Sequence, residues 1–289
     1  MKKLLLPILF SLSLLTASSH AENSRPAAPR LISTDAFITE LLFALDADQH
    51  LIAVDVTSKL PANYRPLANI GYHRTLSAEG ILNLQPTQVI GSEHIGPPAV
   101  LSALNKANVE VLKLPSALSS EQLRSNIHTL AEVVDRKDNA EKLLALMDSQ
   151  LNLLKQNTLA NQRIAFLLSM DPSKLRLAGS NTSGDALIGL TQGSNVATFN
   201  NYRNVSAESL LALAPDIIVV AGRNADSAVN EVLAANPILK YTPAGKNSNI
   251  IAVDGSTLIA GLSPAAIDEA LVLVKRINNI SLSITSTKP

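Results

Sequence analysis

The sequence predicts an α/β fold of two Rossmann-like lobes, each built on a parallel sheet, joined by one long α-helix and leaving a ligand cleft between them. Three observations carry that prediction. The stretch Leu76 to Ile90 returns as Val205 to Val219 with six of fifteen positions identical, including Ser77-Ala78-Glu79 against Ser206-Ala207-Glu208. Each copy reads as a short helix that stops at Pro86 or Pro215, since proline cannot continue a helix, and then enters an apolar strand. Short apolar runs alternate with helical periodicities along the chain, which is the βαβ pattern of a parallel sheet. Between the copies lies one amphipathic stretch without Gly or Pro, placed to connect the lobes.

The elements follow in order. Lys2 and Lys3, the apolar run Leu4 to Leu15 and the small residues of Ser19-His20-Ala21 have the make-up of a cleavable export signal over residues 1–21. The run is short for a membrane span. The first lobe, residues 22–136, begins with the strand Arg30 to Ser33 and a helix whose apolar positions Ile38, Leu41, Leu42 and Leu45 fall at helical spacing. Strands Leu51 to Val54, Val89-Ile90 and Val109 to Leu114 come next, and Ser119 with Gln122 opens a helix carrying Leu123, Ile127, Leu130 and Val134. In the connecting segment, residues 137–160, Asp138 and Glu141 have capping-box spacing. A single stripe of Ala140, Leu143, Met147, Leu151 and Leu154 then predicts a helix of roughly 30 Å at 1.5 Å per residue. The second lobe, residues 161–289, has predicted strands at Arg163 to Leu168, Leu175 to Leu177, Ile217 to Val220 and Ile250 to Val253. A helical connection resists a wide hinge, so only modest closure is expected.

Composition excludes several functions. The chain has equal numbers of basic and acidic residues, and without residues 1–21 it has 22 Lys+Arg against 24 Asp+Glu. It therefore has no basic footprint for nucleic acid, and with 3% aromatics and no Trp it has little with which to stack bases. It has no Cys, hence neither disulfides nor thiolate metal sites. No H-x-H or H-x-x-x-H pair and no G-x-S-x-G elbow occurs, which disfavours a zinc cluster or an exported hydrolase.

The residues best suited to chemistry precede the first copy of the repeat, in Ile70-Gly71-Tyr72-His73-Arg74-Thr75. Gly71 lets the backbone turn, and Tyr72 can project into the cleft mouth. A phenolate is a hard oxygen donor for ferric iron, and tyrosine is an axial ligand in some haem proteins. A phenol ordinarily ionises near about pH 10; a metal ion and the Arg74 guanidinium would both favour the anion. A core-capping Tyr and a surface Arg would leave the same pattern.

The export signal, Gly71-Tyr72-x-Arg74 followed by Leu76-Ser77-Ala78-Glu79-Gly80-Ile81-Leu82, Gly96-Pro97-Pro98-Ala99-Val100, and Ala178 to Thr182 with Asp185-Ala186-Leu187 together resemble the periplasmic haem-binding proteins of bacterial haem ABC importers. The resemblance extends from about Arg30 to Asn278. It implies a non-enzymatic, monomeric periplasmic carrier of ferric haem b, with Tyr72 on the iron and Arg74 supporting it. It also implies delivery to an inner-membrane ABC permease and its ATPase, with Glu79 and Glu208, one on each lobe, pairing with arginines of the permease. Two helix-start carboxylates that merely favour the helix dipole would look alike in sequence. The wider group includes cobalamin and ferric-siderophore binders, which are the alternative. The chain departs from the haem pattern in two places. Leu168-Ser169-Met170-Asp171 lacks the His that in some relatives holds a second haem, and Ser180 stands where relatives often have Arg. One haem is therefore expected.

Of the five histidines, His20 leaves with the signal, and His50 and His128 are expected in solvent. His94 follows a strand end and can face the cleft, while His73 beside Tyr72 is a lesser candidate ligand. Asn201-Tyr202-Arg203-Asn204 precedes the second copy much as Gly71 to Arg74 precede the first. Tyr202 and Arg203 are accordingly expected on the opposite wall, where Arg203 or Arg223 could meet propionates, though surface loop residues would read the same.

Overall fold

The computed structural model describes residues 28–222 and 224–279, so the export-signal segment and Arg223 lie outside the described residues. The first lobe contains β1 (Leu31–Ser33), α1 (Ala36–Ala44), β2 (Leu51–Val54), β3 (Ala68–Asn69), α2 (Ala78–Leu82), β4 (Gln88–Ser92), α3 (Pro98–Lys106), β5 (Glu110–Leu114) and α4 (Ser120–Val133). Its sheet has the order β3-β2-β1-β4-β5, parallel throughout. Every residue of β1 and β4 is buried, as strands of a parallel sheet covered on both faces are. Ile38, Leu41, Leu42 and Leu45 of the α1 region are fully buried, and Ser119 caps α4 by accepting from the Gln122 N–H at 3.2 Å.

Helix α5 (Lys137–Gln156) spans twenty residues, about 30 Å at the usual helical rise. Its expected capping box does not form. The helix starts two residues earlier, with Arg136 at the cap position making no side-chain cap bond, and Asp138 lies in the first turn, where its charge complements the helix dipole. The helix is also no free rod. Ala140, Leu143, Leu144, Met147 and Leu154 are buried in a core shared by α1, α4 and the C-terminal helix, and the Gln150 side chain donates to Asp268 at 2.6 Å.

The second lobe contains β6 (Arg163–Ser169), β7 (Leu175–Ala178), α6 (Ser183–Leu190), β8 (Ser194–Asn195), β9 (Tyr202–Val205), α7 (Ala207–Leu213), β10 (Ile217–Gly222), α8 (Ala225–Ala235), α9 (Pro243–Lys246), β11 (Ile250–Asp254) and α10 (Pro264–Ile277). Its order is β11-β10-β6-β7-β9, with β8 paired to β6. This sheet is mixed rather than parallel, because β7 runs antiparallel to both β6 and β9. The connection 170–174 explains it: so short a link permits a hairpin, whereas a parallel return needs a crossover of about a dozen residues or more.

The repeat is structural as well as textual. Ser77 and Ser206 cap α2 and α7 by accepting from the N–H groups of Gly80 and Ser209. Gln85 and Ala214, just before the two prolines, both adopt positive φ, at 49° and 46°. The likeness extends beyond the phrase. Arg30, before β1, donates to the carbonyls of Leu84 and Gln85, and Arg163, opening β6, donates to that of Leu213. Each arginine thus satisfies carbonyls at the C-terminal end of its lobe's repeated helix.

Besides α5, the lobes touch directly. Ala117 of the first lobe accepts from Leu262 N–H and donates to the Ala260 carbonyl, a backbone bridge centred on Gly261. Lys59 reaches Asp254 with Nζ–Oδ2 at 2.9 Å, and the Ala265 N–H donates to Glu40 at 2.6 Å. Burial works against the Asp254 carboxylate, but hydrogen bonds from Ser256 and Lys59 outweigh it and hold its pKa below the ordinary value.

Candidate functional site

Parallel strands deliver their C-terminal ends, and the loops that follow them, to one edge of the sheet. On the first lobe that edge carries Asp35 after β1, Asp55 after β2, the loop 70–76 after β3 and Glu93-His94 after β4. Several exposed apolar side chains stand in these loops or in the corresponding ones: Val56 after β2, Tyr72, Leu118 after β5 and Met170 directly after β6. That concentration of exposed apolar surface on the strand-end side suits a flat apolar ligand.

The Tyr72 loop is firmly anchored. Gly71 has φ of +83°, where a side chain would be strained, and its N–H bonds the Asn69 side chain while its carbonyl accepts from Val56 N–H. The Gly96 N–H donates to the His73 carbonyl at 2.8 Å, and the Leu76 N–H donates to the Gly96 carbonyl at 3.1 Å. These bonds tie the Tyr72 loop to the loop that follows β4 and carries His94. Tyr72 itself is 43% exposed, with its ring centroid 4.2 Å from that of His73. His73 is buried at 4%, its Nδ1 facing Asp55 Oδ2 at 3.4 Å. Arg74 is exposed and has neither a hydrogen bond nor an ion pair among the described residues.

His94 is exposed, with Nε2 3.3 Å from the Ser116 hydroxyl. Partial burial, then the Arg74 charge, lower its pKa from the ordinary value, against an opposing pull from Glu93. Glu93 is held low by hydrogen bonds from Ser116. The His94 imidazole therefore loses its proton more readily than a free one. Arg74→Ala is expected to raise the His94 pKa toward its ordinary value, as read by an NMR titration of the ring protons. An unchanged His94 titration would show that the two charges do not interact. The sign for stability follows: a depressed folded pKa means the unfolded chain binds the proton more readily, so this group weakens the fold only as pH falls below about 6.5.

Sequence reasoning brought together Tyr72, His73, Arg74 and His94, and the structure places them on one pair of adjoining loops. Tyr202 does not repeat the setting of Tyr72. It lies in β9 rather than in a loop, and its hydroxyl is engaged at the start of α6, 3.1 Å from the Ser183 hydroxyl and accepting from Gly184 N–H at 3.2 Å. The edge strand forms because residues 202–205 pair with β7, a partner whose turn-back local pattern does not announce. Arg203 is exposed, with its guanidinium 4.7 Å from the Phe199 ring centroid. Glu79 and Glu208 are both exposed in the first turns of α2 and α7. His50 is partly exposed and His128 exposed. Asp55 went unnoticed in the sequence; the signal it offers is a lone carboxylate directly after the apolar strand Leu51 to Val54.

Two pockets lie elsewhere. One of about 320 Å³, lined by His50, Thr87, Gln88, Glu110 and Asp135, sits at the N-terminal ends of β4 and β5, away from the Tyr72 edge. Another of about 180 Å³ lies between the lobes beside Lys59 and Asp254. Among the described residues no helix is long and apolar enough to cross a membrane, and no group of three His, Cys, Asp or Glu side chains could hold a metal ion.

Residues 31–257 match the family described as periplasmic binding protein. The chain belongs to that family. Among solved structures, this periplasmic binding protein is similar to the periplasmic haem-binding protein HutB of Vibrio cholerae, at 35% identity and a TM-score of 0.80 over 87% of this chain and 99% of that one. A periplasmic haem-binding protein of Pseudomonas aeruginosa matches at 30% identity and a TM-score of 0.80, over 89% and 95%. Among curated relatives, the vitamin B12-binding protein of Photorhabdus laumondii is 27% identical over 217 residues, 73% of this chain and 78% of that protein. The fold is that of class III periplasmic binding proteins, and the protein is a substrate-binding component of an ABC importer rather than an enzyme. Family membership implies a periplasmic location.

Proposed function

We propose that this periplasmic binding protein carries one ferric haem b in the cleft between its lobes, with the Tyr72 phenolate on the iron, and delivers it to an inner-membrane ABC permease and its ATPase. The observation that carries the proposal is Tyr72 itself: an exposed phenol on a loop fixed by hydrogen bonds, against a buried ring tilted to it, with the unpartnered cation Arg74 two residues on. A phenolate needs such a cation nearby, and an iron porphyrin needs apolar surface around it. His94 borders the same loop, and Arg203, with Arg223 outside the described residues, is assigned to propionate carboxylates on the second lobe. Residues 1–21 are assigned to a cleaved export signal, 22–136 and 161–289 to the lobes and 137–160 to their connection, and the mature chain to a monomer.

The similarity to curated vitamin B12-binding proteins favours cobalamin as the second reading. Absorption spectroscopy decides between them. The mature chain titrated with ferric protoporphyrin should develop a Soret band and phenolate-to-iron charge-transfer bands. If it leaves haem unbound and takes up cobalamin instead, the haem proposal is wrong.

Delivery rests on Glu79 and Glu208, exposed at matching places on the two lobes. Rim charges mainly set orientation and association rate. Replacing both by Ala should leave haem binding and melting temperature at wild-type values and slow importer ATPase stimulation in reconstituted membranes at low salt, with the difference shrinking as salt rises. Delivery at the wild-type rate at low salt would reduce both residues to helix-start carboxylates.

A further inference from the structure

We propose that Asp55 and His73 form a buried positioning pair that fixes the Tyr72 ring for its ligand, and that His73 itself stays off the iron. The proposal rests on the assignment of Tyr72 as the ligand-binding residue. Asp55 is 1% exposed and its carboxylate is fully engaged: the Thr57 hydroxyl donates at 2.9 and 2.8 Å to its two oxygens, the Ser58 N–H and hydroxyl donate to Oδ1 at 3.1 and 2.8 Å, and His73 Nδ1 stands 3.4 Å from Oδ2. The network runs deeper. Ser58 and Thr39 share a hydroxyl contact at 2.7 Å, and Thr39 donates to Ser33 at 2.7 Å, so the carboxylate is tied through α1 to the end of β1. A carboxylate so surrounded by donors is locked in place, and a ring bonded to it through Nδ1 is fixed in orientation and tautomer.

The same ring meets Tyr72, at 4.2 Å between centroids and an interplanar angle of 46°. The His73 backbone is held too, by the Gly96 N–H. Of the pair Tyr72 and His73, only the tyrosine is exposed to solvent. A fixed neighbour removes the rotational freedom a half-exposed tyrosine would otherwise lose on binding iron. Groups that orient a metal ligand from behind typically change affinity 10–100-fold when removed. Asp55 acts through His73, and His73 acts through ring contact. Both are positioning residues.

The test uses ferric protoporphyrin IX and three proteins. In His73→Phe the ring remains but its bond to Asp55 is lost; Asp55→Asn keeps an acceptor for Nδ1–H. Haem transfer to apomyoglobin gives the release rate, and the phenolate charge-transfer band reports Tyr72 geometry, which a purely structural role would not move. His73→Phe should release haem about 10–100-fold faster with a shifted or broadened band, and Asp55→Asn should lie closer to wild type. Wild-type release and an unshifted band in His73→Phe would overturn the proposal.

A second measurement needs no variant that folds. Wild-type protein loaded with diamagnetic gallium protoporphyrin should show a protected His73 Nδ1–H proton by NMR, bonded as in the free protein. Loss of that proton, or metal bonding at His73, would equally overturn it. Failure of the haem assignment is a separate outcome, visible as a Tyr72→Phe protein that keeps the wild-type spectrum.

Discussion

Tyr72→Ala is expected to lose the phenolate-to-iron charge-transfer bands entirely and to weaken ferric haem binding by more than about 100-fold. That figure follows from the cost of removing groups that merely orient a ligand, about 10–100-fold, which loss of the ligand itself must exceed. The fold should be unaffected. The Tyr72 side chain is 43% exposed, and the loop is held by backbone bonds of Gly71, His73, Thr75 and Leu76 rather than by the phenol. Surface substitutions of this kind usually stay within about 0.5 kcal/mol. Tyr72→Phe isolates the oxygen, since it keeps the ring against His73 and should lose the same bands. A Tyr72→Phe protein with wild-type charge-transfer bands and affinity would remove Tyr72 from the iron and turn attention to His73 or His94.

Gly261→Ala is expected to destabilise the fold strongly at the junction between the lobes. Gly261 has φ of +110°, and an added Cβ would stand 2.5 Å from both the N and the O of Ala117. The obstacle is backbone, so no rotamer change relieves it. It also lies where Ala117 exchanges hydrogen bonds with Ala260 and Leu262, the direct bridge between lobes. Strain at such a φ and overpacking each cost about 1–3 kcal/mol, so a total of about 3 kcal/mol is expected. For a chain of this size that lowers the melting temperature by roughly 6–12 °C. Gly189→Ala is the control: nothing lies within 4 Å of its added Cβ, and it sits in α6, where alanine is the better helix former. Equal melting temperatures for Gly261→Ala and wild type would mean the bridge yields without cost.

The sequence alone carried the features that depend on local chemistry. The repeated phrase announced two related lobes because serine caps, a helix and a proline stop recur wherever the same local structure is built. The long apolar stripe announced α5, because burial of one helix face leaves a 3.6-residue period. Gly71 could be singled out because its turn demands a conformation other residues resist, and Tyr72 and Arg74 because their chemistry suits a ferric ligand.

What only the tertiary structure decided involves partners distant in sequence. The second sheet became mixed because residues 170–174 are too few for a crossover, a constraint set by the sheet rather than by the strand composition. Tyr202 resembles Tyr72 in its neighbours but was taken up by an edge strand and its hydroxyl by α6, contacts that no window around residue 202 contains. His73 is named by its place beside Tyr72, but its burial and its contact with Asp55, eighteen residues earlier, come from the fold. Likewise the lobes are held by α5 and also by a core and a backbone bridge that join residues over a hundred positions apart. Periodicity and caps are local properties and survive in one dimension; pairing, burial and the orientation of a side chain depend on what arrives from elsewhere in the chain.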